Sequence, residues 1–283
     1  MQKIAILGTG AMGARLAAKL GEAGNAVTVW NRTAERANAL AAAGMVVAAS
    51  PAMAADGADV VIAAVRDDEA SHAAWTGSNG ALNALHPAAL AIECSTLSVA
   101  GACRLHDEFS RAGRTLAEAP MVGSRPQAEA GKLVFLLGGS EDARARAQAV
   151  LTPVAVAGAI HHAGEAGAAA AIKLAVNYLF ALQVAGIAEA INTLAGEGLS
   201  ARGMEIIASL PVSSPAAALS AQAMLAGNFA AQFPIELVAK DLGYFTALAM
   251  ERAPVAGALA DRFAMAAASP LAAMNITAII KAD

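Results

Sequence analysis

Lys173 and Asn177 stand four residues apart in the segment AIKLAVN, inside a proline-free run from Ala168 to about Ala195. Helical spacing puts both side chains on one face, where they can converge on one ligand. Because the run is apolar on nearly all sides, the helix is expected to be buried between two domains. Burial lowers the pKa of an ammonium toward the range in which it can give and recover a proton. The pair could therefore act as a proton donor and an orienting amide. The spacing also allows a lysine that snorkels to the surface beside an idle asparagine. Lys240 precedes Asp241 in PIELVAKDLGYF. In isolation that dipeptide reads as a surface ion pair worth under ~1 kcal/mol. A third candidate, EAPMVGSRPQAEAGK at residues 118–132, follows a strand and is rich in glycine and proline. Ligands sit beyond strand ends in open parallel sheets, although such a loop serves equally as a plain connection.

The start of the chain supplies a second chemistry. Residues 4–7 form an apolar run suited to a buried strand, and Gly8, Gly10 and Gly13 follow in G-x-G-x-x-G spacing, with Thr9, Ala11 and Met12 between them. Gly8 suits the tight turn, Gly10 lets a pyrophosphate approach the backbone, and Gly13 lets a helix pack closely on the strand. Residues 11–23 read as that helix, Gly24-Asn25 as its stop, and residues 26–30 as a second strand. Four elements in this order predict a dinucleotide cradle whose phosphates sit at the helix start. Asn31, Arg32 and Thr33 come next. With no carboxylate at position 31 and a guanidinium available for a 2′-phosphate, NADP(H) is expected over NAD(H). NAD(H) stays open, because Arg32 could stack on adenine without selecting a cofactor.

These residues need a scaffold, and 283 residues suffice for a Rossmann domain plus a smaller second domain. Short apolar runs at residues 59–65, 89–94, 115–119 and 133–137 alternate with helical stretches, including residues 107–112 and 141–149, and the strands end near Ile160. Such alternation means α/β architecture with a mainly parallel sheet. Beyond the long helix, residues 199–283 read as four or five helices split by Pro211, Pro215, Pro234, Pro254 and Pro270. The expectation is a doubly wound Rossmann sheet (1–163), then the long interdomain helix and an all-α C-terminal domain (164–283).

Net charge is −4, from 19 basic and 23 acidic residues without a basic cluster, so nucleic acid is not an expected partner. Hydrophobic residues make up 57% and mean hydropathy is +0.53, largely through alanine. No uncharged run reaches the ~18 strongly apolar residues of a membrane span. Arg15 and Lys19, after a stretch broken by glycines, argue against a secretory signal. A cytoplasmic protein without a membrane partner is expected. Cys94 and Cys103 lack zinc or redox spacing, and the neighbouring His161 and His162 would face opposite ways on a strand, so no metal is expected. Surplus apolar surface on the C-terminal helices points to a homodimer or homotetramer.

Taken together, the motifs resemble those of the β-hydroxyacid dehydrogenase family, in the 6-phosphogluconate dehydrogenase superfamily, over nearly the whole chain. GTGAMGARLAAKL resembles GxGxMGxxMAxNL, and ECST at residues 93–96 resembles D-x-S-T. APMVGSRPQAEAGKL is similar to the substrate motif APVSGGxxGAxxGTL, IKLAVN to K-x-x-x-N, and FPIELVAKDL to F-x-x-x-L-x-x-K-D-L. The resemblance implies carbonyl reduction or its reverse on a small hydroxy acid or semialdehyde. Lys173 would be the general acid and base, and Asn177 would hold the substrate oxygen or the lysine. It also implies that Thr96 and Lys240 lie at the nicotinamide end, with Val65 and Arg66 in the loop over it. Asp241 would lie close to the active centre, and Gly123 and Ser124 would border a substrate carboxylate.

The chain departs from the family at Val122, where a serine is usual, and at Ser124, Gln127 and Lys132. The serine hydroxyl expected to bind a carboxylate is missing, and Gly123, Ser124 or Arg125 would replace it. Val122 raises the alternative of an imine or ketone reductase of the same fold, against which Lys173 argues. An NADPH-binding sensor or scaffold without catalysis is the non-enzyme alternative.

Overall fold

Apolar runs too short for helices and separated by glycine-stopped helical stretches fold here as one sheet with helices on its faces. The computed structural model describes residues 1–282. Its strands are β1 (Lys3–Leu7), β2 (Ala26–Trp30), β3 (Val46–Val47), β4 (Val60–Ala63), β5 (Leu90–Glu93), β6 (Thr115–Glu118), β7 (Met121–Val122), β8 (Leu133–Gly138) and β9 (Ala155–Gly164). They lie in the order β3-β2-β1-β4-β5-β6-β8-β7, with β9 paired to β8. Neighbours from β3 to β6 are parallel, and β8 runs antiparallel to β6. The order reverses between β1 and β4, and the carboxyl ends of those strands form the crevice in which such sheets bind ligands.

β1 shows why its sequence is continuously apolar. Ile4 and Ile6 pack into one core with Leu16, Val27 and Phe135, while Ala5 and Leu7 pack into another with Val61, Trp75 and Phe109. A parallel strand covered on both faces requires this. The covering helices are α1 (Gly13–Glu22), α2 (Ala34–Asn38), α3 (Pro51–Ala55), α4 (Asp68–Thr76), α5 (Val99–Arg111), α6 (Arg125–Glu129) and α7 (Glu141–Leu151). α1 starts two residues later than expected because residues 11 and 12 still belong to the glycine turn. α5 starts eight residues before the expected 107, capped where the Ser98 hydroxyl accepts the Gly101 N–H at 2.9 Å.

The chain forms two compact units, Met1–Lys173 and Leu174–Asp283, and the division falls within α8 (Ala168–Ala195). The second unit continues with α9 (Ser200–Ser209), α10 (Pro215–Leu225), α11 (Ile235–Ala249) and α12 (Pro254–Ala267). Pro215 and Pro254 occupy first helical positions, where the missing N–H costs nothing. Ala181, Val184, Leu242, Phe263 and Ile279 form its core.

α8 corrects one expectation: it is not buried on nearly every side. Lys173, Leu174, Asn177, Ala181, Val184 and Ala188 form a buried stripe, whereas Ile172 and Leu179 are 43% and 55% exposed. Alanine makes every face of this helix read as apolar, but the packed stripe has ordinary helical spacing. By length and composition α8 is the one helix among the described residues long and apolar enough to cross a membrane. Its buried stripe is that of a core helix.

Candidate active site

At the carboxyl end of β1 the chain turns through Gly8, whose φ of +101° and closeness to Ala64 exclude a side chain; a Cβ there would lie 2.5 Å from the Ala64 carbonyl oxygen. Gly13 packs closer still, a Cβ falling 1.9 Å from Gly8 O, while nothing lies within 4 Å of a Cβ at Gly10. The open side of Gly10 is where a phosphate can approach the backbone. α1 has no side-chain cap and no acid in its first turn, so its positive end is left for an anion. These features fit a dinucleotide, with Gly8, Gly10, Ala11, Met12 and Gly13 as its cradle.

Asn31 follows β2 and is engaged at both ends of its amide. Its Oδ1 accepts the Thr9 N–H at 3.0 Å, and its Nδ2 donates to Thr33 O at 2.9 Å. Asn31 therefore shapes the glycine turn, and beside it Arg32 and Thr33 are exposed at the end of β2. After β4, Val65 and Arg66 begin the next loop. The Val65 N–H donates to Ser95 Oγ at 2.8 Å, and Arg66 Nε lies 3.7 Å from Asp67. Ser95 precedes half-buried Thr96 at the end of β5.

The residue below Ser95 carries chemistry that sequence reasoning gave no role. Glu93 is 2% exposed and accepts hydrogen bonds from Ser71 Oγ at 2.5 Å, Trp75 Nε1 at 2.9 Å and Ser95 N at 2.8 Å. Burial pushes its carboxyl above the usual range, against the opposing pull of those donors. The signals in the sequence were an acid closing an otherwise apolar strand, LAIE, and its place at the head of the ECST segment. Burial, then the charge of Glu93, also pushes the Cys94 thiol well up, which makes it an inert packing group.

In the loop after β6, Val122 is half-buried and pairs with Val134, and Gly123 adopts φ +133°. Ser124 is committed locally: its Oγ donates to Gln127 Oε1 at 2.6 Å, and its N–H to the same oxygen at 3.0 Å. Beside it, the Nε of Arg125 is buried without a hydrogen-bond partner. Arg15 on α1 ties this loop to the glycine turn, its Nε donating to Glu129 at 2.8 Å.

In the second unit, Lys240 and Asp241 correct the reading of a surface pair. Asp241 is buried, and Lys240 Nζ lies 2.8 Å from its Oδ1 and 4.9 Å from the Tyr244 ring centroid. Asn177 Nδ2 donates to Asp241 Oδ2 at 2.5 Å. A carboxylate only accepts, so this contact fixes the Asn177 flip and turns its Oδ1 away as an acceptor. Tyr178 and Phe245 stack at 4.4 Å and hold α11 against α8. Lys173 and Asn177 are each 7% exposed on one face of α8, so the snorkelling alternative does not hold.

Residues 3–164 match the NAD binding domain of 6-phosphogluconate dehydrogenase, and residues 167–282 match the NAD-binding region of NADP-dependent 3-hydroxyisobutyrate dehydrogenase. The chain belongs to the β-hydroxyacid dehydrogenase family. Among proteins similar to this dehydrogenase, a probable 3-hydroxyisobutyrate dehydrogenase of Mycobacterium tuberculosis is 35% identical over 272 residues, covering 92% of this chain and 88% of that protein. The NAD-dependent L-serine dehydrogenase of Pseudomonas aeruginosa is 32% identical over 251 residues, 86% and 84% of the two chains. The solved structure of Mycobacterium tuberculosis 3-hydroxyisobutyrate dehydrogenase with L-serine superposes with a TM-score of 0.90 at 33% identity, covering 99% and 98%. The protein is thus an oxidoreductase with NAD(P)-binding domains, of the kind that acts on hydroxy acids or semialdehydes.

Proposed function

We propose that this dehydrogenase prefers NADP(H) and interconverts a small hydroxy acid with its semialdehyde or keto form, with Lys173 as general acid and base. The observation that carries the reading is the buried Lys173–Asn177 face, with the asparagine amide committed to Asp241. The bound dinucleotide supplies or accepts the hydride. Lys173 Nζ gives a proton to the developing alkoxide during reduction and takes the hydroxyl proton during oxidation. Asn177 Oδ1 orients the ammonium or the substrate hydroxyl, and Arg125 pairs with the substrate carboxylate through its unpartnered Nε. Arg32, exposed after β2 with no acid at positions 31–33, favours a 2′-phosphate. Val65, Arg66, Thr96 and Lys240 complete the cofactor set. The exposed Leu179, Val212, Leu219 and Met265 of the second unit favour burial against a further copy, which the mass in solution tests.

The deciding experiment assays 3-hydroxyisobutyrate, L-serine, glyoxylate and succinic semialdehyde with each dinucleotide. Lys173→Ala should lower kcat on the best substrate by about 10²-fold or more. Retained activity overturns the acid/base role, and a higher kcat/KM with NADH than with NADPH overturns the cofactor preference.

A further inference from the structure

Glu118 closes β6 as a 2% exposed carboxylate, and its acceptors serve the backbone of another element. Oε1 accepts the Gly167 N–H, and Oε2 accepts the Ala170 N–H at 3.0 Å. Both donors belong to the start of α8, where unsatisfied amides and the helix dipole favour an anion. His106 Nε2 lies 3.1 Å from Oε1 without hydrogen-bond geometry.

Glycines clear the space around this contact. A Cβ at Gly138 would lie 3.1 Å from Glu118 Cδ and 3.1 Å from Ala169 Cβ. A Cβ at Gly139 would lie 3.1 Å from His106 Cε1, and one at Gly167 would lie 2.8 Å from Cys103 Sγ. A diffuse charge effect would need no such fit. A seat that admits the carboxylate in one place fixes where the first turn begins and how it is rotated. Lys173 is three residues beyond Ala170, less than one turn along the same helix. An error at the cap is therefore transmitted almost undiminished to the position of Nζ.

We propose that Glu118 is a positioning residue for Lys173, setting the height and rotation of the first turn of α8 from the end of β6. The inference rests on the proton-transfer role given to Lys173 above. It is tested by steady-state kinetics of Glu118→Gln and Glu118→Asp on the best substrate of the wild-type chain. The glutamine keeps the size but turns an NH2 against one of the two amides, whereas the aspartate keeps two acceptor oxygens. We expect kcat to fall about tenfold to a hundredfold in Glu118→Gln, as a displacement near 1 Å can cause. The KM for the dinucleotide should change less than about twofold, and Glu118→Asp should recover part of the loss. A kcat within about twofold of wild type overturns the proposal, as does a fall in kcat matched by an equal rise in dinucleotide KM. Should Glu118→Gln not fold, Gly138→Ala presses on the same seat from its other wall and is read by the same two criteria. If Lys173→Ala abolishes turnover and the Glu118 variants do not, the positioning role alone fails. If Lys173→Ala keeps turnover, the functional reading itself fails.

Discussion

Glu93 and Glu118 are register partners at the carboxyl edge of neighbouring parallel strands, and each is 2% exposed, yet they hold different parts of the molecule. Glu93 gathers two side chains of α4 and the backbone of Ser95, whose hydroxyl in turn holds the Val65 N–H. Glu118 gathers backbone amides from the start of α8. The same residue type at the same level of the sheet thus braces the loop after β4 in one case and a helix in the other. The donors facing each carboxylate decide which. A buried acid must be satisfied by hydrogen bonds or it is too costly to keep, so each is tied to whatever element brings donors to that edge.

The largest effect should come from removing the support on the Glu93 side. Trp75 is fully buried, meets Phe109 edge-on at 5.2 Å and donates to Glu93. Trp75→Ala should cost about 3–5 kcal/mol in urea unfolding, through the cavity and the lost donor. A loss below about 1 kcal/mol would mean that the Glu93 network is not a packed unit.

A smaller change separates the two braces by function. Ser95→Ala leaves Glu93 its backbone donor but deprives the half-buried Val65 N–H of its acceptor, which should weaken the loop by about 1–2 kcal/mol. If about 1 kcal/mol of that is felt by the cofactor, NADPH binds roughly fivefold more weakly in a fluorescence titration, while kcat at saturation holds. The Glu118 variants should show the reverse pattern. Ser95→Ala lowering kcat without weakening NADPH would erase the distinction.

Much of the scaffold was legible because local rules set it. The spacing of Gly8, Gly10 and Gly13 encodes a turn in which Gly8 and Gly13 leave no room for a Cβ, and α8 runs over the residues that its lack of proline allowed. Pro215 and Pro254 mark helix starts for the same local reason. What stayed hidden depended on contacts distant in sequence. Ser71 is 22 residues from Glu93, and Gly167 is 49 from Glu118, so neither acid announces its partner. Lys240-Asp241 has the local pattern of a solvated pair, and only Asn177, 64 residues away from Asp241, shows why it is buried. The start of α5 was missed because its first five residues, VAGAC, carry no charge and include a glycine.

The smallest effect is a pH dependence that belongs to Glu93. Burial is the largest influence on its carboxyl and raises it above the ordinary carboxyl value of 4.5, while Ser71, Ser95 and Trp75 pull the other way. Between that ordinary value and the raised one, the folded chain keeps a proton that the unfolded chain has released. Stability therefore falls as pH rises through this window, because the folded state binds more protons than the unfolded state. The contribution is fully present below the unfolded pKa and is lost as pH climbs through the folded one. Glu93→Gln cannot ionise and still offers an acceptor oxygen to Trp75 or Ser95, so its stability lacks this pH dependence. The melting temperature of wild type relative to that of Glu93→Gln should fall as pH rises from 4 to 8. A wild-type stability that instead rose relative to Glu93→Gln with pH would mean that Glu93 is held as a carboxylate and that its hydrogen-bond donors outweigh its burial.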